Sequence, residues 1–454
     1  MISLKYGILK RAAAFFCCVA LLGASACKKS DNSSTVSYGI SSETQITHEI
    51  SGTGQASSEA EVTEDSACSS SDASQHGGSR SESESKESEE ISGLPAQSGA
   101  QQDTSAGAEA AGIDGIISGM TLHEKICQML ILSPELLTGS SEVTSAGEAT
   151  RLALQRLPVG GIIYGAQNLI TKDQVRAMLK STQDYSALPL IMTCDEEGGR
   201  VNRLMSTVGT TYIGAMFDYR DKGPETAYKN ALTIASDMRA LGFNTDLAPV
   251  ADVWSNPGNT VIGDRAYSDS FSQAASLIPS AVRGFHDGGV GTALKHFPGH
   301  GDTLADSHNS SVYVSKTLEQ LRQSEFLPFK AGIDAGSDMV MIGHLTLTEI
   351  DEQPAPFSYR IVTEILRGEL GFSGVVITDG LQMKAMTSFY TSGEIAVKAV
   401  SAGVDILLCP SDPQEAVTAL KDAVASGTVS EQRIDQSVRR ILTLKLNRGI
   451  LTTG

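Results

Sequence analysis

A closed (β/α)8 barrel of the TIM type is the fold class predicted for residues 113–454, on three observations. Eight short apolar runs, most of them bounded by Gly, Pro or Asp, alternate with longer amphipathic segments. The runs are almost continuously apolar, as strands of a parallel sheet are when helices cover it. Polar residues gather at the ends of consecutive runs, which is where such a barrel carries its site.

The first 112 residues read differently. Residues 1–26 hold Lys5, Lys10 and Arg11, then an apolar run too short to span a bilayer, then the small residues Gly23-Ala-Ser-Ala26. That is the pattern of an export signal. Small residues directly before Cys27 resemble the lipobox of bacterial lipoproteins, although Ala24 stands where a branched apolar residue is usual. The resemblance implies lipidation of Cys27 and an exported chain anchored in the cell membrane, facing the outside or the cell wall. Residues 27–112 are rich in Ser, Glu and Gly, with Tyr38 as their sole aromatic, and are expected to be a disordered linker that cannot bury enough apolar area to fold. The formal net charge of −18 argues against a nucleic-acid partner. Seven cysteines show no zinc or disulfide spacing, and Cys127, Cys194 and Cys409 sit in apolar runs as small hydrophobes.

In order along the domain, strands are expected at 126–132, 160–164, 188–194, 243–250, 292–296, 338–343, 374–378 and 404–409. Helical spacing marks 172–185, 224–241, 271–288, 318–332, 358–370, 414–426 and 430–447. An open doubly wound sheet is the alternative, but no Gly-x-Gly-x-x-Gly follows any of these strands.

The strand ends carry Asp195-Glu-Glu-Gly-Gly-Arg200, Asp246 and Asp252, Lys295-His296, His344 and Asp379. The run 293–310 alone holds three of the eight histidines. A metal hydrolase could draw ligands from His296, His300, Asp302, Asp306, His308 and His344, yet the first strand has neither the histidines nor the carboxylate that metal barrels place there. Glycoside cleavage by double displacement is the competing reading. It needs a carboxylate beneath the anomeric carbon, for which Asp379 is placed, and an acid/base beside the leaving oxygen.

The segment Leu366-Arg-Gly-Glu-Leu-Gly-Phe-Ser-Gly-Val-Val-Ile-Thr-Asp-Gly-Leu-Gln-Met383 resembles the nucleophile segment of glycoside hydrolase family 3. Lys295-His-Phe-Pro-Gly-His-Gly-Asp-Thr303 with Asp306-Ser-His308 is similar to the signature of that family's β-N-acetylglucosaminidase (β-N-acetylhexosaminidase) branch. The resemblance implies Asp379 as nucleophile and His308, paired with Asp306, as acid/base. It also implies sugar contacts from Asp195 and Arg203 in Asp195-Glu-Glu-Gly-Gly-Arg-Val-Asn-Arg203, from Arg265, and from Lys295 and His296. Glu196 stands where the family often has Gln, and Ala266-Tyr267 where it often has Ser-Phe.

An imidazole suits the acid/base role because its ordinary pKa lies near ambient pH, and an aspartate can orient the ring and stabilise its cation. His300 is expected to shape the Pro/Gly loop. His344 fits the pocket wall or an interior hydrogen bond, and Asp246 and Asp252 fit structural roles. The expected activity is removal of terminal non-reducing β-linked N-acetylglucosamine from a glycan or muropeptide in cell-wall turnover, by a monomer, with no metal or organic cofactor. A β-glucosidase or β-xylosidase and an N-acetylglucosaminide phosphorylase are the enzymatic alternatives; a solute-binding lipoprotein is the alternative of another class.

Overall fold

The computed structural model describes residues 100–304 and 312–452, with side chains from residue 109. Cys27, the signal and most of the linker lie outside the described residues, as do Asp306 and His308. Among the described residues there are ten strands: β1 Leu130–Leu132, β2 Gly161–Ile163, β3 Ile191–Cys194, β4 Thr245–Asp246, β5 Ala293–Phe297, β6 Val312–Val314, β7 Met339–Ile342, β8 Leu345–Leu347, β9 Val375–Thr378 and β10 Leu407–Leu408. One parallel sheet runs β10-β1-β2-β3-β4 and a second runs β5-β7-β9. Parallel bridges Thr245↔Gly291 and Ile377↔Ile406 join the two sheets at both edges, so eight parallel strands close on themselves. The open doubly wound alternative is thereby excluded. β6 and β8 pair only with each other, in parallel, outside the ring.

Every residue of β1, β3, β5, β7 and β9 is buried, which explains why those runs lack polar alternation. The helices Lys172–Tyr185 and Pro224–Leu241 fall on the bounds expected from their spacing, and Ser430 caps Glu431–Asn447. Around β5 the packing is aromatic: the Phe297 ring stacks on Phe326 at 5.4 Å and meets Phe329 edge-on at 5.2 Å. Each such pair is worth about 0.5–1.5 kcal/mol beyond burial, which fixes the strand that carries Lys295 and His296.

Several expectations are corrected. The run 126–132 is not one strand: Leu122–Gln128 is a helix, started by a capping box of Thr121 and Glu124, and only Leu130–Leu132 is extended. The run 243–250 keeps just Thr245–Asp246 in regular pairing, and Pro249 has no N–H to offer a ladder. The segment 318–332 breaks into Leu318–Arg322 and Phe326–Asp334, with buried Glu325 between them taken up by Lys316. Arg360–Glu369 is a π-helix. The helix Ala100–Gly119 begins inside the segment 27–112 rather than after it, and its Ile113 and Ile117 join the core. Among the described residues no helix is long and apolar enough to cross a membrane.

Candidate active site

Asp195, Arg203, Arg265, Lys295, His296 and Asp379 all line one cavity of about 300 Å3 at the carboxyl ends of the strands. Met341, Gln382, Met383, Leu408 and Cys409 complete much of its wall. These side chains come from loops after β3, β4, β9 and β10 and from β5, β7 and β10 themselves. Sequence separation of up to about two hundred residues is erased by the ring.

Lys295 is the electrostatic centre. Its Nζ lies 2.7 Å from Asp195 Oδ1 and 2.6 Å from Glu197 Oε1. Burial alone would lower its pKa, but the two carboxylates outweigh that and raise it. Glu197 in turn accepts from Arg265 through Nε at 2.8 Å and Nη2 at 2.9 Å. Burial opposes its charge too, yet Arg265 and Lys295 hold its carboxyl below the usual range. Three cations and two carboxylates therefore form one chain, from Arg265 through Glu197, Lys295 and Asp195 to Arg203, whose last link is a 3.4 Å contact. Glu197 was not singled out in the sequence, although it is the second of two adjacent glutamates at a strand end. Which of the two turns inward is a backbone property that composition does not encode.

Glu196, the other acid, points away from the network. Its carboxylate accepts the backbone N–H groups of Arg203 at 2.5 Å, Leu204 at 2.8 Å and Met205 at 3.0 Å. It thus closes the loop after β3 and caps the short helix Leu204–Val208, which places Arg203. Its own N–H is held by Asp246 Oδ1 at 3.0 Å. Asp246 is fully buried, and burial pushes its carboxyl well above the usual carboxylate range. Both residues act beneath the cavity, which fits the structural reading of Asp246.

Asp379 follows β9 directly and accepts the Gly380 N–H at 2.7 Å. Burial works against its charge. His344, His296, the Gly380 N–H and Lys295 together overcome that, and its pKa is lowered, so the carboxylate is ionised and available as a nucleophile. His344 does not line the cavity: its Nε2 meets the Gly380 carbonyl at 3.0 Å behind Asp379. His300 turns its Nδ1 to Thr303 Oγ1 at 2.7 Å and shapes the Pro/Gly loop, as expected. That loop packs too closely for a side chain at Gly301, where a Cβ would lie 1.7 Å from the Val253 carbonyl oxygen. Arg200 anchors the loop preceding Arg265, with Nε on Asp264 at 2.7 Å and Nη2 on the carbonyls of residues 260–262. Among the described residues no group of three or more His, Cys, Asp or Glu side chains is arranged to hold a metal ion.

The model of the glycosyl hydrolase family 3 N-terminal domain matches residues 121–444. The chain belongs to glycosyl hydrolase family 3. A relative in this family, beta-hexosaminidase A of Pseudoalteromonas piscicida, is 32% identical over 383 residues, covering 75% of this chain and 63% of that protein. The beta-hexosaminidase of Stenotrophomonas maltophilia is 35% identical over 263 residues, or 56% of this chain and 77% of the relative. Among solved structures, the family 3 β-N-acetylglucosaminidase from a Paenibacillus shares 39% identity at a TM-score of 0.69, over 73% of this chain and 63% of that one. The β-N-acetylhexosaminidase from Beutenbergia cavernae shares 28% at 0.65, over 73% and 99%. The chain thus spans somewhat under two thirds of the Pseudoalteromonas and Paenibacillus family 3 proteins.

Proposed function

We propose that this family 3 chain is a retaining β-N-acetylhexosaminidase that removes terminal, non-reducing β-linked N-acetylglucosamine. The observation that carries the reading is the ionised Asp379 carboxylate in one cavity with the Asp195, Arg203, Arg265, Lys295 and His296 side chains. The names of the relatives support the choice of sugar. In the first step the Asp379 carboxylate attacks the anomeric carbon while the His308 imidazolium gives its proton to the departing oxygen. In the second step water attacks the glycosyl-aspartate, the neutral His308 ring takes the water's proton, and Asp306 stabilises the cation that forms. Asp195 and Lys295 hold ring hydroxyls, with Arg203 and Arg265 supporting them. The setting proposed is cell-wall glycan turnover by an exported monomer anchored by lipid at Cys27.

The test is release of nitrophenol from the β-N-acetylglucosaminide and from the β-glucoside by the full chain and by Asp379→Ala. Turnover of the first substrate at least tenfold above the second, lost in the variant, is the expected result. Equal turnover of both would overturn the choice of sugar, and no turnover of either would overturn the enzymatic reading.

A further inference from the structure

Asp252 lies on the loop after β4, is 1% exposed and does not reach the cavity, yet both of its carboxylate oxygens are committed to the strand beside it. Oδ2 lies 2.6 Å from His296 Nδ1 and accepts the His296 backbone N–H at 3.0 Å. Oδ1 accepts the His300 backbone N–H at 2.6 Å. One carboxylate therefore ties together the two ends of the turn that leaves β5. Resting on the sugar-binding role given to His296 above, we propose that Asp252 is a positioning residue: it fixes the His296 ring with its proton on Nδ1, so that Nε2 meets a sugar hydroxyl as a hydrogen-bond acceptor.

The chemistry follows from the donor count. An ionised carboxylate offers only acceptors, so the 2.6 Å contact requires a proton on Nδ1. The groups set around Asp252 keep it ionised: burial opposes its charge, but His296 and His300 outweigh it and its pKa is lowered. Asp252 also interacts with the positive charge of Arg265. With Nδ1 occupied, Nε2 is the ring nitrogen left to the cavity that His296 lines with Asp379. When that ring carries no second proton, Nε2 presents a lone pair there, and a hydroxyl, which can donate, is accepted while a carbonyl or ether oxygen is not. Asn at position 252 keeps the shape but breaks the pattern. Its single oxygen cannot accept from His300 on one side and from His296 on the other, and its NH2 group turned toward Nδ1 would force the proton to Nε2.

The test reads the ring nitrogens of His296 by 15N NMR on the unliganded wild-type protein at pH 9, where a free imidazole is neutral, with the signal assigned by its loss in His296→Gln. The expected spectrum has Nδ1 protonated and Nε2 bare. A ring protonated on Nε2, or on both nitrogens, overturns the proposal, and this reading requires no Asp252 variant to fold. In Asp252→Asn the Nε2-protonated form should appear, and kcat/KM should fall by roughly 10²-fold, the scale of a misplaced contact. In a His296→Gln background the same substitution should cost less than threefold. Lost activity with an unchanged His296 ring, or an equal loss in the His296→Gln background, would make Asp252 merely structural and overturn the proposal. Since the ring is read without substrate, this outcome is separate from that of the nitrophenyl glycosides, whose failure would sink the proposed activity instead.

Discussion

Glu197 receives Lys295 and both forks of Arg265, and it is 5% exposed, so removing its charge leaves two buried cations with Asp195 as their nearby partner. Breaking a buried pair in this way costs about 3–5 kcal/mol, more than an exposed pair contributes. Glu197→Gln should therefore lower stability to thermal or urea unfolding by about 3 kcal/mol, and steady-state kinetics should show KM rising by more than kcat falls. A variant with wild-type KM and stability would remove Glu197 from the binding network. At this scale much of the site was legible. Asp195, Lys295, His296 and Asp379 stand at strand ends, and strand ends converge in any barrel. Glu197 was not, because two adjacent acids at the end of a strand point to opposite sides and only the fold decides which is inside. Asp252 was read as structural, and its reach to His296 depends on a loop path that no spacing reveals.

Among the elements, the Glu196 side chain ties the end of β3 to the start of the helix Leu204–Val208. The Glu196 carboxylate accepts three backbone N–H groups there, while burial raises its pKa, so the site uses the acceptor oxygens more than the charge. Gln supplies one acceptor oxygen without the charge's desolvation cost, enough for the Arg203 and Leu204 N–H groups that share Oε2 though not for the Met205 N–H on Oε1, so Gln keeps two of the three contacts. Glu196→Gln should keep kcat/KM within about threefold, whereas Glu196→Ala, which frees three N–H groups at about 1 kcal/mol each, should raise KM at least tenfold by releasing Arg203. Similar kinetics for the two variants would refute the capping role. Helices such as Lys172–Tyr185 and Pro224–Leu241 were legible because many turns of 3.6-residue spacing outvote any local ambiguity. Short elements were not. The apolar run 126–132 reads equally well as strand or buried helix, and only the Thr121 and Glu124 capping signal separates the two. The parallel pair β6 and β8 was missed because it lies outside the repeating units and has three residues in each strand.

Over the whole molecule, the ring puts its chemistry at one end and leaves a buried cation near the other. Lys445, on the helix Glu431–Asn447, is fully buried and donates from Nζ to Gln128 Oε1 at 2.8 Å, and burial pushes its pKa down to about 7. The unfolded chain holds that proton up to the ordinary lysine value, so between about pH 7 and 10 it binds more protons than the native state does. Stability should rise with pH across that window, by an amount on the order of a few kcal/mol, and stay at its low level below it. Lys445→Met should flatten the rise when unfolding is followed at pH 6, 8 and 10. The same slope in the variant would contradict the assignment.

The central claim is that Asp379 forms a covalent bond to the sugar, and mass spectrometry of the protein after reaction with a slow, fluorinated N-acetylglucosaminide tests it most directly. Double displacement predicts one added sugar per chain, located by peptide fragmentation on Asp379 and absent from Asp379→Ala. An adduct on another carboxylate, or hydrolysis of that substrate with inversion and no adduct, would contradict it.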